Sequence, residues 1–347
     1  MKQKLFMFIL IICLPIMESN SQSSTARFLY WSPSAEITAQ GGAGVAIVDN
    51  SFSAYYNPAS FAFSKSPGIA SSFMQPFSSF QNTSQVMLSL SYPTHEIGTF
   101  ALSLNSFWIE NAARTGPDSP DILGAVRDQP KLFEPTNYQI KASYANKIAS
   151  NIAVGVSASV LHIALSKMPT SFEHGGGATT SVLLDAGFLI TDLWHEGTYR
   201  LKLDNVNTPA NDNLSPGVAI GLSFLNIGPK ISFIDNSQGD PPPSVFLLGI
   251  SYTPLYSNLV SSRLLVDLEK RIYDSNTLDY IHLGGEVLLY NMISLRSGYV
   301  INKINSDQSY PTFGLGIKYL FLYANISRYK KYHVPTWQFD TKINLEF

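Results

Sequence analysis

The stretch Trp337-Gln338-Phe339-Asp340-Thr341-Lys342-Ile343-Asn344-Leu345-Glu346-Phe347 decides the fold. Trp337, Phe339, Thr341, Ile343, Leu345 and Phe347 alternate with Gln338, Asp340, Lys342, Asn344 and Glu346. Successive side chains of a strand point to opposite faces, so this segment reads as one strand with an apolar face and an ionic face. A strand of about 9–11 residues is long enough to cross a tilted path through a bilayer. Two settings share the pattern: a transmembrane barrel, and the edge of a soluble antiparallel sheet.

The other end of the chain bears on that choice. Lys2 and Lys4 precede an apolar run from Leu5 to Met17, broken by Pro15, and Ser19-Asn20-Ser21 follows as a small-residue cleavage region. Residues 1–21 therefore read as a signal peptide, and the protein as exported. The run falls short of the roughly 20 residues of a helical span. Cys13, the only cysteine, lies within it, and Ile12 is not the small residue a lipidation site places there. The mature chain is then expected to lack disulfides and thiolate metal sites. No later stretch approaches a helical span. With 23 Lys and Arg against 25 Asp and Glu, nothing favours nucleic acid as a partner.

From Ile69 onward the chain reads as strand after strand. Val86, Leu88, Leu90 and Tyr92 oppose Met87, Ser89 and Ser91; Phe100, Leu102 and Leu104 oppose Ala101, Ser103 and Asn105. Tyr138, Ile140, Ala142 and Tyr144 oppose Gln139, Lys141 and Ser143, while Val154, Val156 and Val160 back onto Gly155, Ser157 and Ser159. Small or polar residues on the second face suit a filled or wet interior. Further strands are expected at 181–190, 217–225, 230–234, 245–253, 263–270, 278–289, 293–301, 312–319 and 321–328, giving about fourteen to sixteen. Connections 93–98 and 146–151 are short, whereas 110–135 and 166–179 are long, the asymmetry of an outer-membrane barrel. The long stretch 193–216 breaks this rule and implies either an extra strand at Tyr199, Leu201 and Leu203 or an insertion at the rim.

These signs together give an all-β fold, a transmembrane antiparallel β-barrel of about 14 strands spanning residues 67–347. Its solvent is expected to be outer-membrane lipid, with both termini periplasmic. The last strand should pair with residues near Ile69 to Met74, directing Trp337, Phe339 and Phe347 to lipid and Asp340, Lys342 and Glu346 inward. A carboxy-terminal Phe closing such a strand resembles the sorting signal of Gram-negative outer-membrane barrels, carried here by Trp337, Phe339, Ile343, Leu345 and Phe347.

Residues 22–66 have another character. Phe28, Leu29, Trp31, Phe52, Phe61 and Phe63 require cover, Gly41, Gly42 and Gly44 permit a tightly bent backbone, and Asn57-Pro58-Ala59 favours a turn with Asn57 outside the helical region. Packing inside the barrel mouth, as a plug, is the expected arrangement; a periplasmic linker is the alternative.

The stretch FLYWSPSAEITAQGGAGVAIVDNSFSAYYNPASFAF, Phe28 to Phe63, resembles the amino-terminal region of the PorV/PorQ family within the FadL-like superfamily. It carries Ser32, Pro33 and Ala35, then Gly41 to Gly44, Asp49, and Tyr56 to Ala59, in the family's order. Gly221 to Phe233, Val266 to Lys270 and Leu295 to Tyr299 are similar to later family blocks. The resemblance implies a plugged barrel, usually of fourteen strands. It also implies a non-enzymatic part of the type IX secretion machinery that binds secretion-system proteins and the signal domains of exported cargo. FadL proper implies the alternative, transport of long-chain fatty acids or other hydrophobic ligands.

Catalytic motifs are weak. His174-Gly175-Gly176-Gly177 is similar to a lipase oxyanion turn but lacks the Gly-x-Ser-x-Gly elbow. Gly42-Ala43-Gly44 lacks the strand, helix and distal acid of a dinucleotide loop. The six histidines, His95, His162, His174, His195, His282 and His333, are not at metal-ligand spacing. No cofactor is expected. Asp267 and Glu269 share a face opposite Lys270, a placement suited to a luminal polar network.

Overall fold

The computed structural model describes residues 24–48, 50–76, 83–94, 96–110, 112–113, 132–133, 136–164, 177–201, 214–233, 239–274, 277–331 and 334–345. The expected signal peptide, Asp49, His95, His174, His333, Glu346 and Phe347 lie outside these described residues.

Alternation becomes a closed ring of fourteen antiparallel strands. They are β1 (Gly68–Met74), β2 (Thr83–Thr94), β3 (Gly98–Ile109), β4 (Thr136–Ala149), β5 (Ile152–Ala164), β6 (Ala178–Leu193) and β7 (Gly217–Ile227) in the first half. The second half comprises β8 (Val245–Ser257), β9 (Val260–Arg271), β10 (Tyr280–Leu289), β11 (Ile293–Asn302), β12 (Tyr310–Tyr319), β13 (Leu322–Lys331) and β14 (Val334–Asn344). Each pairs with the next, and β14 closes on β1, with Ile69 opposite Ile343 and Phe73 opposite Phe339. Closure leaves the ring without an edge.

Period-two alternation sorts the two faces. Leu88, Leu102, Ile140, Val156, Leu264, Leu315, Trp337 and Phe339 are exposed outward, while Ser89, Ser103, Gln139, Ser157, Arg263 and Asp340 are buried inward. An apolar belt around a polar interior is the arrangement that hydrocarbon outside and a satisfied core inside require.

Two expectations are corrected, and one left open is decided. The last strand is Val334–Asn344, and Leu345 already stands outside it. Its ladder stops because β1 begins at Gly68: the Leu345 N–H donates to Pro67 O at 2.7 Å, and a proline has no N–H to return. Residues 230–234 form no strand among those described; only a bridge joins Ile231 to Asp240, in a connection punctuated by Pro229 and Pro241 to Pro243. The stretch after β6 holds a three-residue strand, Tyr199–Leu201, laid parallel on Leu255–Ser257 outside the fourteen.

Short connections such as 150–151, 258–259 and 320–321 gather at one end of the ring, the turn end. The opposite, loop end carries most of the long ones; the exception is 194–216, which joins β6 to β7 at the turn end. Leu345 lies at the turn end, against Pro67. Ser24 lies at the loop end, where its N–H donates to Asp274 Oδ1 at 2.9 Å and Thr25 N–H to Pro241 O at 3.2 Å. Ser24 and Leu345 thus sit at opposite mouths, because residues 24–66 run lengthwise through the lumen.

Candidate functional site in the barrel lumen

Residues 24–66 descend from the loop end to β1 as short turns joined by extended pieces. The helix α1 (Ala35–Ala39) starts at Ser34, whose side chain accepts from Ile37 N–H, an ordinary N-cap. It ends in Gly41 and Gly42 at φ 71° and 83°, conformations that favour glycine. Asn57 caps the 3-10 turn Pro58–Phe63 with an extended backbone, φ −157°, and Pro58 opens that turn.

The wall accommodates this segment with glycines. A Cβ added at Gly155 of β5, Gly187 of β6, Gly221 of β7 or Gly249 of β8 would strike Ala59, Pro58, Val45 O or Val45, respectively. Gly284 of β10, Gly298 of β11 and Gly314 of β12 face Gln40, Gly41 and Ala39 in the same way. Backbone meets backbone at Gly155, Gly221, Gly284 and Gly298, while side-chain atoms of Asn57 and Pro58, of Asp267 and Val45, and of Ala39 fill the space over Gly187, Gly249 and Gly314. Apolar cover completes the contact: Phe28 packs with Phe107, Leu161 and Leu183, while Ala59 packs with Ala153 and Leu189.

Polar anchors fix the register. Asp267 Oδ2 accepts from Gly44 N–H at 2.7 Å and Val45 N–H at 2.9 Å. His282 places Nδ1 2.6 Å from Gly41 O and Nε2 3.0 Å from Glu269 Oε2; a doubly protonated ring donates to both oxygens. Asn57 Nδ2 donates to Val45 O and Phe188 O, each at 2.9 Å, and its Oδ1 accepts from Ala59 N–H at 3.1 Å. Tyr56 hydroxyl lies 2.5 Å from Ser32 Oγ and accepts from Ser34 N–H. Burial pushes this phenol well above its ordinary pKa, against the lowering effect of those two bonds.

Charges are spent inside rather than displayed. Lys141 Nζ lies 2.6 Å from Asp185 Oδ2, with side chains 1% and 0% exposed, and also donates to Ala54 O at 3.1 Å. Across the lumen, Arg263 and Arg296 hold Glu286 at 2.6 and 2.7 Å, and both reach Glu36 of α1. Arg296 continues through Asn325 to Asp340. At the loop end, burial raises the Asp274 carboxyl, but hydrogen bonds from Ser24 and the Arg27 guanidinium hold it net below the usual aspartate value.

The structure places Gly41, Asn57, Pro58 and Ala59 on the glycine track, while Gly42 faces His282 and Gly44 packs on Ile37 and Tyr56 and donates its N–H to Asp267. Of the carboxy-terminal residues, Trp337 and Phe339 are exposed, whereas Ile343 and Leu345 are half-buried near the turn end. Lys141, Asp185, Arg263, Glu286 and Arg296 were missed as anchors by sequence reasoning; the available signal was an ionic residue on the inward row of a strand. Between residues 29–33, the 41–45 turn and the walls of β7 to β14 remains a cavity of ≈ 130 Å³, lined also by Tyr55, Tyr56, Asp267, Glu269 and His282.

A closed ring of fourteen strands, apolar outside and polar within, defines an outer-membrane β-barrel, and its fold is that of known hydrocarbon transporters of this class. The toluene transporter TbuX of Ralstonia pickettii superposes with TM-score 0.52 at 11% identity, covering 91% of this chain and 98% of its own. The toluene transporter TodX of Pseudomonas putida gives 0.55 at 9% identity, covering 88% and 96%. No curated protein matches by sequence. Residues 16–270 match the family described as type IX secretion system protein PorV. The chain belongs to that family.

Proposed function

We propose that this barrel is a non-enzymatic outer-membrane component of type IX secretion that binds secretion-system proteins and the signal domains of cargo. The observation that carries the reading is the PorV family match, which runs through the luminal segment and most of β9. In this reading residues 22–66 are a plug, Gly41 to Gly44, Asp49 and Asn57 to Ala59 shape it, and the turn end faces the periplasm. Support comes from the glycine track and the buried anchors, which oppose passage of a folded cargo through the lumen and leave the rims as partner surfaces. Affinity capture of the intact detergent-solubilised protein from its native envelope, followed by mass spectrometry, tests it. Co-purification of secretion components or cargo is expected. Their absence, with cargo secretion unchanged on deletion of the gene, overturns the proposal.

A second reading, transport of hydrophobic small molecules, is supported by the luminal cavity with Leu29, Val45, Leu247 and Val300 on its walls. Lipid or hydrocarbon in the captured material, without protein partners, is the outcome that favours it.

A further inference from the structure

The luminal cavity has a chemistry of its own. Six aromatic rings, Tyr30, Trp31, Tyr55, Tyr56, Tyr310 and Tyr329, line it together with Asp267, Glu269 and His282, and no Lys or Arg does so among the described residues. Glu269 is held by two cations, Arg271 Nε at 2.9 Å and His282 Nε2 at 3.0 Å, whereas Asp267 has no ion-pair partner within 4 Å among the described residues. Asp267 is thus the carboxylate of this cluster left without a cation of its own. Its Oδ2 receives two backbone N–H groups, whereas the buried Oδ1 has no hydrogen-bond partner among the described residues. The Tyr55 hydroxyl, on the same cavity, is also without a hydrogen-bond partner among the described residues. A carboxylate short of donors, in a pocket of π-faces, attracts a cation by charge and by ring quadrupole together. The fold already uses this attraction nearby, where the Arg271 guanidinium lies 3.9 Å from the Tyr30 ring centroid and 4.6 Å from that of Tyr280.

We infer that the cavity is a binding site for a small alkylammonium ion, with Asp267 as counter-ion and the aromatic rings as walls. Its volume suits an ammonium group with a few carbons; the cavity known to admit benzene is of about 150 Å³. A purely apolar guest leaves Asp267 Oδ1 and the Tyr55 hydroxyl unsatisfied, so charge distinguishes this guest from an isosteric neutral one.

The probes are n-butylammonium and 1-butanol, titrated calorimetrically into the full-length barrel in detergent. Asp267→Asn serves as the reference, which cancels partition into micelles. The expected result is at least a tenfold preference for butylammonium in the native protein, reduced below twofold in Asp267→Asn. Tyr310→Leu removes a ring without touching a bond to residues 24–66, and is expected to weaken butylammonium roughly fivefold while leaving butanol unchanged. This second variant decides the matter if Asp267→Asn fails to fold. Equal affinity for ion and alcohol, no binding of either, or native binding by Tyr310→Leu overturns the inference. The outcome is independent of whether the rims bind secretion partners.

Discussion

Asn57 is the residue whose loss reports most directly on how the lumen holds its segment. Its side chain is fully buried and makes three hydrogen bonds: to Val45 O within the segment, to Phe188 O on the β6 wall, and from Ala59 N–H in its own turn. Asn57→Ala removes all three and strands two carbonyls and one N–H where water is excluded. At about 1 kcal/mol per bond the cost is about 3 kcal/mol, a change on the order of a hundredfold in the local opening equilibrium. The barrel wall keeps its ladder, so the effect is expected in the segment alone. Hydrogen exchange of peptides covering residues 44–63, measured on the folded barrel in detergent, reads it. Asn57→Ser keeps an acceptor for Ala59 N–H and should recover roughly a third of the loss, about 1 kcal/mol. Native exchange in Asn57→Ala, with the wall also unchanged, would refute the claim that these three bonds hold the segment.

Lys141→Met leaves Asp185 charged and buried without its cation, and should destabilise the folded barrel by about 3–5 kcal/mol in chemical unfolding; the double variant Lys141→Met, Asp185→Leu should recover much of it. Phe339→Arg places a charge on the outward face at the middle of β14 and should cost about 2–4 kcal/mol of folding into lipid vesicles, whereas a native unfolding midpoint would contradict a lipid-facing Phe339. Asp274 has a folded pKa below its unfolded value, so its contribution is fully present above the ordinary value of about 3.9 and is lost as pH falls through the lower folded value. Proteolysis of residues 24–31 should therefore be constant from about pH 5 to 8 and increase only below about pH 4, and Asp274→Asn should expose that segment at neutral pH.

The ring was legible because its physics is local. Trp337 and Phe339 against Gln338 and Asp340 announce two solvents, and the pairing of the last strand with Ile69 to Met74 follows once the ring must close. The strand's stopping point was not legible from its own alternation, which continues through Leu345; Pro67, far away in sequence, ends it. Residues 230–234 alternate well enough for a strand, yet between flanking prolines they form a single bridge, Ile231 to Asp240, in place of a ladder. The lumen is harder still. Arg263, Glu286 and Arg296 read like charges on a wet face, because period two marks which side a residue takes and not what stands opposite. Gly41, Gly42 and Asn57 declared their backbone needs, but the glycines that receive them are dispersed over seven strands and show their purpose only in three dimensions.

That track of glycines also sets what an empty barrel would be. Where other walls would close inward with side chains, these strands present bare backbone, so the furrow keeps its width when its occupant is withdrawn. A chain lacking residues 24–66 is therefore expected to keep a furrow rather than collapse, an outcome that single-channel conductance in planar bilayers would read as larger current than in the full-length protein.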